Sequence, residues 1–335
     1  MQEEIIMEAI TVRNLSKTFQ VKVKEKGLRG SFRSIFHPKY RSVKAVDNIS
    51  FQVKTGEILA FIGPNGAGKS TTIKILTGIL YPDQGEASVM NINPSLKRKQ
   101  LSYKIGTVFG QKEQLWMHLT PYDNFKFFAA IYDIGNNEAE VRINELMKVF
   151  ELEEFIDTPV RNLSLGQRIR CEIVVSLLHK PEILFLDEPT IGLDPVIKEN
   201  IRSLIKKMNR EYKTTVFLTS HDIGDIEKLC ERIIIVNHGQ IVLDDSMENI
   251  KYQYLNKKLV DVKLRELTDL TEEDGITVLK SKGNQIKLEI DTSKKNISDA
   301  IKLIDADNIL DINISSVPLE NIITDIYKEN RRIIS

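Results

Sequence analysis

Only two of the 335 residues are cysteine, Cys171 and Cys230, and they stand far apart. They make no CxxC pair and no ligand spacing, which argues against a disulfide framework and a cysteine zinc site. Reduced cytosol is the simplest compartment. An excess of charge of either sign is missing too. The 47 lysines and arginines balance 47 aspartates and glutamates, so no global field favours nucleic acid or an anionic membrane. No apolar run approaches the roughly 20 residues that span a bilayer, so any membrane role is expected to come through a partner. The opening MQEEIIMEAI is acidic and has no long apolar stretch, unlike a signal peptide. Sustained heptads are absent as well. What remains, 41 % hydrophobic and 28 % charged residues, suits a folded chain with one large domain and a small one.

Residues 57 to 79 read EILAFIGPNGAGKSTTIKILTGI. Ile58 to Ile62 form an apolar run suited to a strand buried on both faces. The following GPNGAGKST fits the G-x-x-x-x-G-K-[ST] phosphate loop. Gly63, Pro64, Asn65, Gly66, Ala67 and Gly68 are expected to turn backbone N–H groups onto phosphate oxygens. Lys69 supplies a charge for the β- and γ-phosphates, Ser70 a hydroxyl for Mg²⁺, and Thr71 closes the motif. The helix beginning at about Lys69 aims its positive end at the same place.

Three further strands end in polar groups. EILFLDEPT, residues 182 to 190, places Asp187 to hold Mg²⁺ through water and Glu188 to act as general base. TTVFLTSHD, 214 to 222, places His221 where it can touch a γ-phosphate or order water. TVFGQKEQLW, 107 to 116, places Gln111 just past a strand, where it can ligate Mg²⁺ and touch the attacking water. Ligands of open α/β sheets gather at such strand ends. One more segment, NLSLGQR at 162 to 168, opens a helix: Ser164 is a natural N-cap, and Leu165, Ile169, Ile173 and Leu177 recur on one face. Such a start offers donors and a positive dipole to an anion, although the phosphate loop already provides a site.

Taken together, and in this order, these residues resemble an ATP-binding cassette (ABC) ATPase over roughly residues 8 to 245, and most resemble cassettes of bacterial multidrug or antibiotic exporters. The resemblance implies an α/β P-loop NTPase core with antiparallel N-terminal strands and a helical subdomain at about 113–181. It implies a cassette domain at 8–247 and a small α+β accessory domain at 248–335. Phe19 matches the aromatic position on which adenine stacks. The resemblance implies that Ser164, Gly166 and Gln167 complete the nucleotide site of a second cassette, with Asp194 in IGLD alongside. Two cassettes then sandwich ATP head to tail, as a homodimer or a heterodimer. LSLGQ departs from the common LSGGQ at Leu165 but keeps the serine, second glycine and glutamine.

The expected activity is hydrolysis of ATP to ADP and phosphate with Mg²⁺, at the cytoplasmic face of the membrane, driving a separately encoded permease. No nucleic-acid partner is expected. Two alternatives stay open: a cassette ATPase acting on ribosomes or nucleic acid, and an ATP sensor without turnover. The basic stretch 20–44, with Leu28, Phe32, Ile35 and Phe36 at helical spacing, reads as a solvated insertion or as a lipid- or partner-binding segment. Trp116 reads equally as core or as the lining of a groove that receives a permease helix. Beyond residue 250, LVDVKLREL and NQIKLEID read as strands and NISDAIKLIDA as a helix.

Overall fold

The computed structural model describes residues 7–22, 40–110, 113–254, 256–266, 274–302, 304 and 306–334. Most of the basic stretch, 23–39, and Gln111 lie outside the described residues. The chain divides into two compact units, Met1–Asp244 and Asp245–Ser335.

In the first unit, β1 (Glu8–Lys22), β2 (Tyr40–Lys54) and β4 (Gln84–Val89) form an antiparallel sheet ordered β2-β1-β4. A six-stranded sheet follows the order β5-β6-β7-β3-β8-β9. Its strands are β3 (Ile58–Ile62), β5 (Ile105–Phe109), β6 (Ile183–Asp187), β7 (Thr215–Thr219), β8 (Arg232–Asn237) and β9 (Gln240–Ser246). β5, β6, β7, β3 and β8 run parallel. β3 and β7 are buried along their whole length, as their near-continuous apolar sequences require for strands covered on both faces. Phe51, Phe61, Phe185 and Phe217 cluster in the core, with ring centroids 5.2 to 6.2 Å apart. Each buried ring contributes roughly 2 kcal/mol.

The helices of this unit are α1 (Lys69–Leu76), α2 (Arg98–Ser102), α3 (Pro121–Ile131), α4 (Asn136–Val149), α5 (Leu165–Leu177), α6 (Pro195–Tyr212) and α7 (Ile223–Leu229). α3 begins where the sequence predicts. Thr120 is its N-cap, accepting the Asp123 N–H at 3.1 Å, and Pro121 follows. α3, α4 and α5 bury Phe125, Ile143, Leu146, Ile169 and Ile173. Leu165 departs from the expected apolar face. It stands in the first turn of α5, ahead of that core, and is 45 % exposed, while Ile169, Ile173 and Leu177 are buried. Trp116 is 57 % exposed and meets Phe127 edge to face at 5.4 Å, so it is surface and not core.

The second unit contains α8 (Met247–Gln253), α9 (Ile297–Lys302), α10 (Leu319–Ile334) and an antiparallel sheet ordered β11-β12-β10-β13. Its strands are β10 (Lys257–Leu264), β11 (Ile276–Lys282), β12 (Gln285–Asp291) and β13 (Ile309–Ser316). Alternation on the two central strands builds its core: Val260, Val262 and Leu264 from β10, and Ile286, Leu288 and Ile290 from β12. The sequence predicts β10, β12 and α9; the structure adds α8, β11, β13 and α10.

Candidate active site

Strand order assembles the site. β6, β7 and β3 are consecutive neighbours in the sheet, so the segments after their C-terminal ends lie side by side. The loop after β3 carries Gly63 to Gly68 and feeds α1 at Lys69. Two glycines there are required sterically. A Cβ at Gly63 would lie 2.4 Å from the Val236 carbonyl oxygen, and one at Gly68, where φ is +107°, would lie 2.2 Å from the Ala45 carbonyl oxygen. Pro64, Asn65 and Gly66 are exposed, Ala67 is buried, and Ser70 and Thr71 sit in the first turn of α1. Lys69 donates to the Gly63 carbonyl at 2.5 Å and to the Pro64 carbonyl at 3.3 Å, so its ammonium fills the hollow of its own loop. Burial lowers its pKa, while the carboxylates of Glu188 and Asp187 pull it back up.

At the end of β6, the Asp187 carboxylate accepts from Thr219 Oγ1 at 2.6 Å and from Ser70 Oγ at 3.4 Å. Phosphate-loop hydroxyl and strand-end carboxylate thus converge as oxygen donors, the set a hard divalent cation prefers. Glu188 has φ of +55°, a left-handed conformation that costs a non-glycine residue about 1 kcal/mol or more. Its Oε1 lies 2.8 Å from His221 Nε2, and that nitrogen is 3.3 Å from Lys69 Nζ. One ring nitrogen either donates to Glu188 or accepts from Lys69, so the tautomer decides which bond forms. A cleft of about 210 Å³ opens here, lined by Glu188, Thr190, Gly192, Lys198 and His221 among others. Gly110 packs on the same corner: its N–H donates to the Asp187 carbonyl at 2.9 Å.

Phe19 is half-buried on β1, paired in register with Val43 and with Lys17 Nζ 5.8 Å from its ring centroid. Val43 is two residues from Ala45, which abuts Gly68, so Phe19 pairs with the strand that reaches the phosphate loop.

Ser164, Gly166, Gln167 and Asp194 make a second group. Ser164 and Gln167 form a reciprocal capping box: the Gln167 N–H donates to Ser164 Oγ at 3.3 Å, and the Ser164 N–H donates to Gln167 Oε1 at 2.8 Å. This narrows the expected set of free donors to the N–H groups of Leu165 and Gly166, the hydroxyl proton of Ser164 and the side-chain amide N–H groups of Gln167. Asp194 caps α6, accepting the Val196 and Ile197 N–H groups at 3.0 Å each. A Cβ at Gly166 would lie 2.5 Å from the Ile197 γ-methyl, so the two segments touch because residue 166 has no side chain. Sequence reasoning missed Thr219, Thr190, Ser220, Arg202 and Asp225. The strand-end hydroxyl of Thr219 was the one legible signal.

A glycine-lined anion cradle, a buried lysine and an acid–imidazole pair on adjacent parallel strands define a P-loop nucleotide hydrolase. The fold narrows it further, because a cassette solved as a dimer in a post-hydrolysis state with ADP and Pi superposes with a TM-score of 0.59 at 30 % identity, over 71 % of this chain and 98 % of that one. The ABC transporter family profile matches residues 46–191. NatA, an ABC transporter ATP-binding protein of Bacillus subtilis, is 31 % identical over 215 residues, 64 % of this chain and 87 % of that protein. BcrA, the bacitracin transport ATP-binding protein of Bacillus licheniformis, is 33 % identical over 227 residues, 68 % and 72 % of the two chains. The chain belongs to the ABC transporter family, as an ATP-binding subunit that hydrolyses ATP. Among the described residues no helix is long and apolar enough to cross a membrane.

Proposed function

We propose that the chain is the ATP-hydrolysing subunit of an exporter, working at the cytoplasmic face of the membrane through a separately encoded permease. The observation that carries the hydrolytic part is the Glu188–His221 pair at 2.8 Å, set beside Lys69 over the phosphate loop. Glu188 takes a proton from the attacking water. His221 fixes that carboxylate and reaches the γ-phosphate, and Lys69 moves from the loop carbonyls onto the β- and γ-phosphates. Ser70 and Asp187, with Gln111, would hold Mg²⁺, which when bound neutralises charge on the phosphate oxygens. Phe19 stacks on the adenine.

Ser164, the Gly166 N–H and Gln167, with Asp194 beside them, serve the ATP of a second cassette. The support is the cluster of free donors at the start of α5, a helix start that the chain's own phosphate loop does not need for its anion. ATP shared across that interface stabilises the closed dimer only while the γ-phosphate remains. The exposed Trp116–Phe127 pair on the helical subdomain supports a permease-docking face there. Export and the membrane location rest on relatives such as the bacitracin transport protein. The second unit supports an accessory domain at about 248–335, after a cassette at about 8–247.

Affinity purification of the tagged chain from native membranes in mild detergent tests the proposal. A polytopic membrane protein in stoichiometric amount is expected. Ribosomal proteins or nucleic acid with no membrane partner would overturn it.

A further inference from the structure

Beside the Glu188–His221 pair lies a cluster, buried at Thr190, Arg202, Ser220 and Asp225 and half-buried at Lys198 and Asp222, that none of the nucleotide-facing roles uses. Arg202, on the second turn of α6, holds three carboxylates at once, with its Nη1 donating to the exposed Glu199 Oε2 at 3.3 Å and its other nitrogens to two aspartates. Its Nε donates to Asp225 Oδ1 at 2.7 Å, and its Nη2 donates to Asp222 Oδ1 at 2.9 Å. Lys198, one turn earlier on the same helix face, donates to the other Asp222 oxygen at 2.5 Å. Asp225 is 0 % exposed, and its second oxygen, Oδ2, accepts two hydroxyls: Ser220 Oγ at 2.6 Å and Thr190 Oγ1 at 2.5 Å. Thr190 stands two residues after Glu188, and Ser220 and Asp222 flank His221. A single carboxylate oxygen therefore ties together the two loops that carry the pair.

Lys228 donates to Glu199 at 2.6 Å, so three cations (Lys198, Arg202, Lys228) face three carboxylates (Glu199, Asp222, Asp225) and the cluster is neutral. Burial alone would raise the Asp222 pKa, but Lys198 and Arg202 outweigh it and hold the carboxyl below its ordinary value. Stability does not explain such a cluster. Buried ion pairs break even with apolar residues of similar volume or lose to them. What the cluster supplies is direction. A guanidinium fork holds the Asp222 and Asp225 carboxylates together, and Asp225 in turn ties both loops.

We propose that Arg202 is a positioning residue that acts through Asp225 to set the separation and orientation of Glu188 and His221. This rests on the reading that those two groups act on ATP. Without the tie, the loops carrying the pair drift by fractions of an ångström. That costs rate in the chemical step and leaves nucleotide binding, which belongs to the phosphate loop, intact. The same helix abuts the signature glycine at Ile197, so any displacement of α6 reaches both groups of site residues.

The test uses the full chain with ATP and Mg²⁺. Thr190→Val removes one hydroxyl tie with almost no change in volume, Thr190→Ser restores it, and Arg202→Met removes the anchor. Turnover, KM, binding of a fluorescent ATP analogue and thermal melting are measured for each. Thr190→Val is expected to lower kcat about tenfold and Arg202→Met about a hundredfold, with KM and analogue affinity within about twofold. Thr190→Ser should recover most of the lost rate. If Arg202→Met fails to fold, the valine and serine variants decide. A folded Thr190→Val with wild-type kcat, or one whose loss of rate is matched by loss of nucleotide affinity, overturns the inference and leaves the ATPase reading standing. A wild-type chain without turnover overturns both.

Discussion

Glu172 lies buried on α5, inside the helical subdomain, where the backbone N–H of Gln114 approaches its Oε1 at 3.5 Å. Burial pushes its carboxyl up from 4.5 to about 7; Glu113 adds to the rise, while the Gln114 N–H and Arg168 oppose it. The native state therefore keeps a proton that the unfolded chain releases near pH 4.5. Stability is greatest below that pH, falls as pH rises toward 7, and stays at the reduced level above it. A rise from 4.5 to about 7 corresponds to about 3 kcal/mol in full, most of it developed by pH 8 and under about 1 kcal/mol at pH 5. Glu172→Gln keeps an oxygen for the Gln114 N–H and has no charge to bury. Its stability advantage over wild type should accordingly grow by about 2 kcal/mol between pH 5 and pH 8. Urea unfolding read by Trp116, the chain's one tryptophan and a resident of the same subdomain, measures it. An advantage of the same size at both pH values would refute the reasoning, because it would mean that Glu172 is already ionised in the folded protein at pH 5.

Gly166→Ala drives a Cβ to 2.5 Å from the Ile197 γ-methyl. It should destabilise the cassette by about 1–3 kcal/mol, and adding Ile197→Ala should recover much of that, a non-additivity that a double-mutant cycle in denaturant would show. Ser164→Arg should abolish turnover while the isolated monomer still binds an ATP analogue with wild-type affinity, since Ser164 is assigned to the partner's nucleotide. Gly68→Ala, at φ +107° and 2.2 Å from the Ala45 carbonyl oxygen, should remove nucleotide binding by fluorescence titration, because the loop cannot keep its shape.

The phosphate loop, both carboxylates and His221 were legible because each sits directly after an apolar run that can only be a buried strand. Sequence then decides both the element and the end at which the ligand gathers. α3 was legible for the same local reason, its Thr120–Pro121 start. The second unit was harder. β11 and β13 are edge strands, and their faces do not alternate cleanly between buried and exposed: ILDINISS buries no residue fully. The Arg202–Asp225 cluster has no local signature at all. It joins residues 190, 202, 220, 222 and 225, which only the folding of α6 against the loop after β7 brings together. The capping box of α5 was readable in its serine and glutamine three residues apart. Its consequence, that the box consumes two of the donors expected for an anion, needed the geometry.

Hydrolysis by the purified chain, wild type against Glu188→Gln, tests the central claim most directly. Released phosphate is measured with saturating ATP and Mg²⁺ while oligomeric state is followed by size-exclusion chromatography in the same buffer. Wild type should turn over. Glu188→Gln should lose at least about a hundredfold in rate, bind ATP normally and accumulate as a dimer, because the shared γ-phosphate is no longer removed. A Glu188→Gln chain that hydrolyses at the wild-type rate, or that stays monomeric with ATP bound, would contradict the account.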